Sequence, residues 1–250
     1  FLCQKPLAPP FAEADALVRR TAGRVRLMVH ENWRFRPWYR QLKHWLDAGD
    51  LGDIITASMA MFSSGLVADA DGRRPTLERQ PSMRHEPRLL IGETLIHHLD
   101  VLRWLAGPLR VVGARAHRAI PEVEGETVAA ILLEMAGGVP LVITATTAAR
   151  GFPARTQDRL TLVGRNGTAL VEGSQLRLLG PDPRQESYDF DGGYQASFEG
   201  AITHFMKCLL SGNRFETDPA DNLETLRLVE DAYAAASGRA VSFTDSMDRR

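Results

Sequence analysis

The chain has 250 residues, 44% of them apolar, which is enough to bury a real core and excludes disorder as the default. Thirty basic residues against thirty-one acidic ones give a formal charge of -1, so nothing here would hold a nucleic-acid backbone or an anionic membrane, and a small molecule is the expected partner. The two cysteines, Cys3 and Cys208, are too few for a disulfide framework and suit a reducing cytoplasm.

In chain order, the spacing of Ala14, Leu17 and Val18 predicts a helix over residues 12–21, and the alternation of Val25, Leu27 and Val29 predicts a strand over 25–29. Together they read as the tail of a βαβ unit. A second helix is expected over 38–48, closed by Gly49, and a strand over 54–62. Residues 63–90 carry Gly, Pro, Asp and several arginines without periodicity, and read as a long functional loop.

A helix over 92–105 follows, and then short β-rich runs at 111–117, 127–135, 141–147, 160–163, 168–171 and 176–179. Gly137-Gly138 and Asn166-Gly167 supply hairpin turns, and Glu134, the glycine pair and Pro140 make the apolar stretch 128–149 two strands and a turn, not a membrane span. Helices over 196–210, with Phe198, Ile202, Phe205 and Leu209 on one stripe, and over 219–236 close the chain. The fold class is therefore α+β: an open, mainly antiparallel sheet flanked by helices.

The helix over 92–105 carries the chemistry. Glu93, His97, Asp100 and Trp104 share one stripe of an otherwise apolar, and therefore buried, helix. A carboxylate one turn before a histidine can orient the imidazole and raise its basicity, making a proton acceptor for an alcohol. A buried Glu-His-Asp cluster that only satisfies itself is the equal alternative. Metal binding by Glu93, His97 and His98 is weaker, because His98 points off the stripe. Lys5, fixed before Pro6, and the aromatic and arginine run His30-Glu31-Asn32-Trp33-Arg34-Phe35-Arg36 are the other notable segments.

Gln4-Lys5-Pro6-Leu7, the Asn32-Trp33-Arg34-Phe35-Arg36-Pro37 run, and Glu93 with His97, Asp100 and Trp104 resemble, in this order, the motifs of the Gfo/Idh/MocA oxidoreductases. Gly49-Asp50-Leu51-Gly52, the run from Asp158 to Gly167, similar to the family's edge strand and turn, and Asp221 to Tyr233 extend the resemblance over nearly the whole chain. It implies an oxidoreductase that moves a hydride between NAD or NADP and a sugar, polyol or related hydroxy compound. Lys5 and His97 would be catalytic, with Glu93 in place of the family's aspartate. Lys5, Pro6, Asn32 and Arg34 would lie on the cofactor side, with no metal.

The resemblance also implies that residues 1–30 are the last βαβ piece of a Rossmann domain, and 31–250 an α+β substrate-binding and oligomerisation domain whose open sheet face makes a homodimer or homotetramer. Three departures stand out: Gln4 for glutamate, Glu93 for aspartate, and Leu95 where the family has glycine. No Gly-rich dinucleotide fingerprint precedes Lys5, so the chain reads as a piece of a longer protein that binds NAD(P) poorly alone. The rival from another class is a non-catalytic carbohydrate-binding or assembly module. A metal-dependent hydrolase or isomerase using Glu93, His97 and His85 is a third reading.

Overall fold

A computed structural model describes residues 1–238. It begins with β1 (Leu2–Gln4), α1 (Phe11–Thr21) and β2 (Met28–His30), and β1 pairs in parallel with β2. The second strand lies later than the 25–29 alternation suggested. Met28, Val29 and His30 are all buried, and a strand covered on both faces shows no alternation. A single 3-10 turn (Trp33–Phe35) then leads into α2 (Pro37–Asp47), and β3 (Ile54–Phe62) occupies the expected span.

The stretch 63–90 is not loop throughout: it holds α3 (Pro75–Arg79) and a 3-10 turn (Pro81–His85). The helix expected over 92–105 is two elements, a π-helical stretch (Leu89–Leu95) followed without a break by α4 (Ile96–Ala106). Then come β4 (Leu109–His117), β5 (Val128–Met135), β6 (Val139–Thr146), β7 (Gln157–Gly164), β8 (Thr168–Glu172), β9 (Gln175–Leu179), β10 (Arg184–Ser187), α5 (Phe190–Ser211) and α6 (Pro219–Ala236). Among the described residues no helix is long and apolar enough to cross a membrane, and 128–149 is the β5–β6 hairpin.

Strands β3 to β10 form one sheet in the order β10-β9-β8-β7-β3-β6-β5-β4, antiparallel except for the β3–β6 pair. The strand of Asp158 is thus interior, between β3 and β8, and not an edge. The register aligns Ile131, Ile143, Met59, Leu160, Val171 and Leu176 in one row across six strands, and all are at most 1% exposed. This face carries the core with α2, α4 and α6. The alternate residues Leu132 and Val142 are each 40% exposed, and Ile55 and Val112, skipped where the register of β3 and β4 shifts, are 46% and 44% exposed.

Helix α5 departs from its apolar stripe. Gly193, Ser197, Ala201 and Cys208 are its buried residues, and Ile202 and Leu209 are 48% and 37% exposed. The small residues win because the helix lies against large rings. A Cβ on Gly193 would stand 2.6 Å from the Trp38 ring, and one on Gly200 would stand 3.2 Å from Phe35.

Candidate active site

The carboxyl ends of β1 and β2 face the start of α4. Lys5 follows β1, joined to Pro6 by a cis peptide bond, and Glu31 follows β2. Lys5 Nζ donates to the Glu93 carboxylate at 2.7 Å and to the Glu93 carbonyl at 2.8 Å, and its side chain is 12% exposed. His97 Nδ1 lies 2.7 and 2.8 Å from the two Glu31 carboxylate oxygens, with Glu31 fully buried.

The carboxylate that orients His97 is therefore Glu31 and not Glu93. The π-helical stretch takes Glu93 off the α-helical wheel, where i and i+4 would have stacked. The stripe is not a cluster that satisfies itself either. Glu93 meets Lys5, His97 meets Glu31, Asp100 meets Arg34, and the Trp104 ring lies 4.9 Å from the Arg40 guanidinium.

Burial lowers the His97 pKa, with Glu31 opposing it and Lys5 adding to it, so the ring is neutral near neutral pH. Burial works against the Glu31 carboxylate, but His97 and the Trp33 N–H outweigh it and hold it below the usual carboxylate range. With Nδ1–H donating to Glu31, the Nε2 lone pair is the one left to accept a proton. The Trp33 ring stacks on the imidazole, 4.2 Å between centroids and 11° from parallel, and the Arg36 guanidinium covers the other side of Trp33 at 3.4 Å.

Behind this stack Asp158, 2% exposed, accepts from His98 Nε2 at 2.8 Å, Tyr39 Oη at 3.1 Å and Arg36 at 3.3 Å. Burial would raise its pKa, but His98, Arg36 and Tyr39 hold it well below the ordinary carboxylate range.

Lys5, Glu93 and His97 are thus brought together, and Pro6 adjoins them. Arg34, expected beside the cofactor, turns inward. It is 2% exposed, its Nε and one terminal nitrogen bond both Asp100 oxygens at 2.6 Å, and Asp221 and the Glu216 carbonyl each take one further donor. Asn32 is 4% exposed and donates to Ser197 Oγ at 2.7 Å. His85 is a surface residue paired with Glu124, and among the described residues no group of three His, Cys, Asp or Glu side chains is placed to hold a metal.

Glu31 and Asp158 were not singled out from the sequence. Asp158 had a signal: alternation with Leu160 and Leu162 places it on the inward face of its strand. Glu31 had only its position directly after a buried strand.

Residues 39–170 match the model of the GFO/IDH/MocA C-terminal domain, just over half of the chain. It belongs to the Gfo/Idh/MocA family. Its relatives include the D-apiose dehydrogenases of Rhizobium rhizogenes, 31% identical over 96% of this chain and 71% of that protein, and of Paraburkholderia graminis, 33% identical over 96% and 65%. An oxidoreductase from Agrobacterium radiobacter, solved with NAD+, L-tartaric acid and magnesium, superimposes with a TM-score of 0.85 at 29% identity, over 95% of this chain and 71% of that one. Levoglucosan dehydrogenase, at 19% identity and a TM-score of 0.79, shares the fold. As a Gfo/Idh/MocA member the protein is an oxidoreductase of the class that acts on CH–OH groups.

Proposed function

We propose that the protein interconverts a secondary alcohol of a sugar or polyol and the matching carbonyl, with NAD or NADP as hydride partner. The observation that carries this is the Glu31–His97 pair beside the Lys5–Glu93 pair at the carboxyl ends of two parallel strands, the end at which open α/β sheets bind ligands. Lys5 and Pro6 would flank the nicotinamide, which supplies the hydride acceptor when bound. Residues 1–30 then form the nucleotide side and 31–250 the substrate side.

His97 Nε2 takes the hydroxyl proton as the alcohol is oxidised, and Glu31 fixes the tautomer and stabilises the imidazolium that results. Lys5 donates a hydrogen bond to the same oxygen as carbonyl character develops, while Glu93 holds the ammonium in place. The partly exposed apolar side chains on the outer sheet face support assembly into a homodimer or homotetramer. The similarity to D-apiose dehydrogenases supports a sugar as substrate.

The test is nicotinamide reduction by a panel of sugars and polyols, D-apiose and inositol included, in a form of the protein that binds NAD(H). His97→Gln is expected to lower kcat by about 10²–10⁴ with little change in KM. Glu31→Gln moves the acid limb of the pH–rate profile to lower pH, since the carboxylate that raises the His97 pKa is gone. Undiminished turnover by His97→Gln would overturn the assignment.

A further inference from the structure

The π-helical stretch opens with three amides that are bonded by side chains from distant parts of the chain. One oxygen of Glu126, at the entry to β5, accepts from Leu90 N at 3.1 Å and Ile91 N at 2.8 Å. Tyr233 Oη, from α6, accepts from Gly92 N at 3.1 Å and donates to that same Glu126 oxygen at 2.6 Å. Burial and the Glu126 carboxylate push the Tyr233 phenol well up, so it remains a donor. Arg88 lies 4.3 Å from the Tyr233 ring and pairs with Glu230 at 2.8 Å. A Cβ on Gly92 would stand 3.2 Å from the Arg88 Cβ and 3.4 Å from Tyr233 Oη, the first tighter than ordinary contact.

Glu93 follows directly, and both of its acceptors, carbonyl and carboxylate, are taken by Lys5. The π-helical stretch is thus held at one end by a remote cap and at the other by the lysine. Its hydrogen-bond geometry is rare, and uncapped amides at a buried helix start are costly. We propose that Glu126 and Tyr233 are positioning residues that set the π-helical register and, through it, present Glu93 to Lys5. This rests on the reading of Lys5 and Glu93 as part of the reacting centre.

The test needs no turnover. The chain has three lysines, Lys5, Lys43 and Lys207, so brief acetylation with acetic anhydride followed by mass spectrometry reports Lys5 against two internal references. Glu93→Gln, which weakens the partner directly, raises Lys5 labelling. Tyr233→Phe raises it about fivefold, the shift that one lost hydrogen bond makes in an equilibrium, with the Lys43 to Lys207 ratio unchanged. Glu126→Gln keeps the acceptor oxygen and stays near wild type, whereas Glu126→Ala repeats the increase.

A raised Lys5 signal in Glu93→Gln with none in Tyr233→Phe or Glu126→Ala would overturn the cap and leave the Lys5–Glu93 pair standing. No rise in Glu93→Gln itself would remove both.

Discussion

Arg34 offers the sharpest separation between what the family resemblance implies and what the structure shows. Replacing it by leucine takes from Asp100, a carboxylate 1% exposed, the two 2.6 Å bonds of the guanidinium, leaving it the Thr225 hydroxyl at 3.0 Å, and it removes a donor from the Glu216 carbonyl and from Asp221, which keeps Arg103 at 2.7 Å. Breaking a buried pair from one side costs about 3–5 kcal/mol. For a chain of this size that is a fall in Tm of roughly 10 °C.

The pH dependence has a definite sign. Burial holds the Asp100 carboxyl above its ordinary 3.8 against the pull of Arg34, and without Arg34 only the weaker pull of Arg103 opposes it. An acid whose folded pKa is raised binds more protons folded than unfolded, so stability falls as pH rises from the unfolded value through the folded one. The deficit of Arg34→Leu should therefore shrink as pH falls toward the ordinary 3.8 and be largest at neutral pH. Thermal melts from mildly acidic to neutral pH read both effects. An unchanged Tm together with weakened NAD(H) binding would refute the structural role and restore the cofactor role.

Two further outcomes follow from the packing. Asp158→Asn should cost about 3 kcal/mol by weakening the bonds to His98, Arg36 and Tyr39. Because the folded Asp158 pKa is depressed, its contribution is present above the ordinary 3.8 and lost as pH falls below it, so denaturant melts should lose stability less steeply below pH 3.8 in the variant than in the wild type. Gly193→Ala drives a methyl into the Trp38 ring and should cost about 1–3 kcal/mol, and a melt indistinguishable from wild type would show that α5 can shift to make room.

Much of the fold was legible where one physical signal acted alone. β3 and α6 fell on their expected residues because alternation and capping agreed with their burial. β2 did not, since a strand buried on both faces loses its period, and Met28-Val29-His30 shows none. On α5 the large apolar residues marked one stripe, but the fold buried the small residues beside it, and Gly193 and Gly200 let Trp38 and Phe35 approach while Phe205 packs at the margin.

The candidate site was half legible for a related reason. Lys5, Glu93 and His97 sit in recognisable spacings, but the partner of each lies in another element: Glu31 is 66 residues from His97, and Glu93 is 88 from Lys5. No helical wheel carries that information, and the π-helical stretch breaks the one wheel that paired Glu93 with His97.

The placement of β3 bears on how the chain assembles. It is the sheet's first strand in sequence, yet it sits in the middle, where Ala57 meets Leu141 on one side and Phe62 meets Gln157 on the other. Strands β4–β6 and β7–β10 are each contiguous meanders that can form by local zippering, whereas β3 joins them only through contacts made late in the chain. Non-local pairing of this kind is slow, because the loop must close before the contacts repay it. The seam along β3 is thus the step at which two independently formed halves become one sheet, and substitutions there such as Met59→Ala should slow folding more than equally destabilising changes in β9.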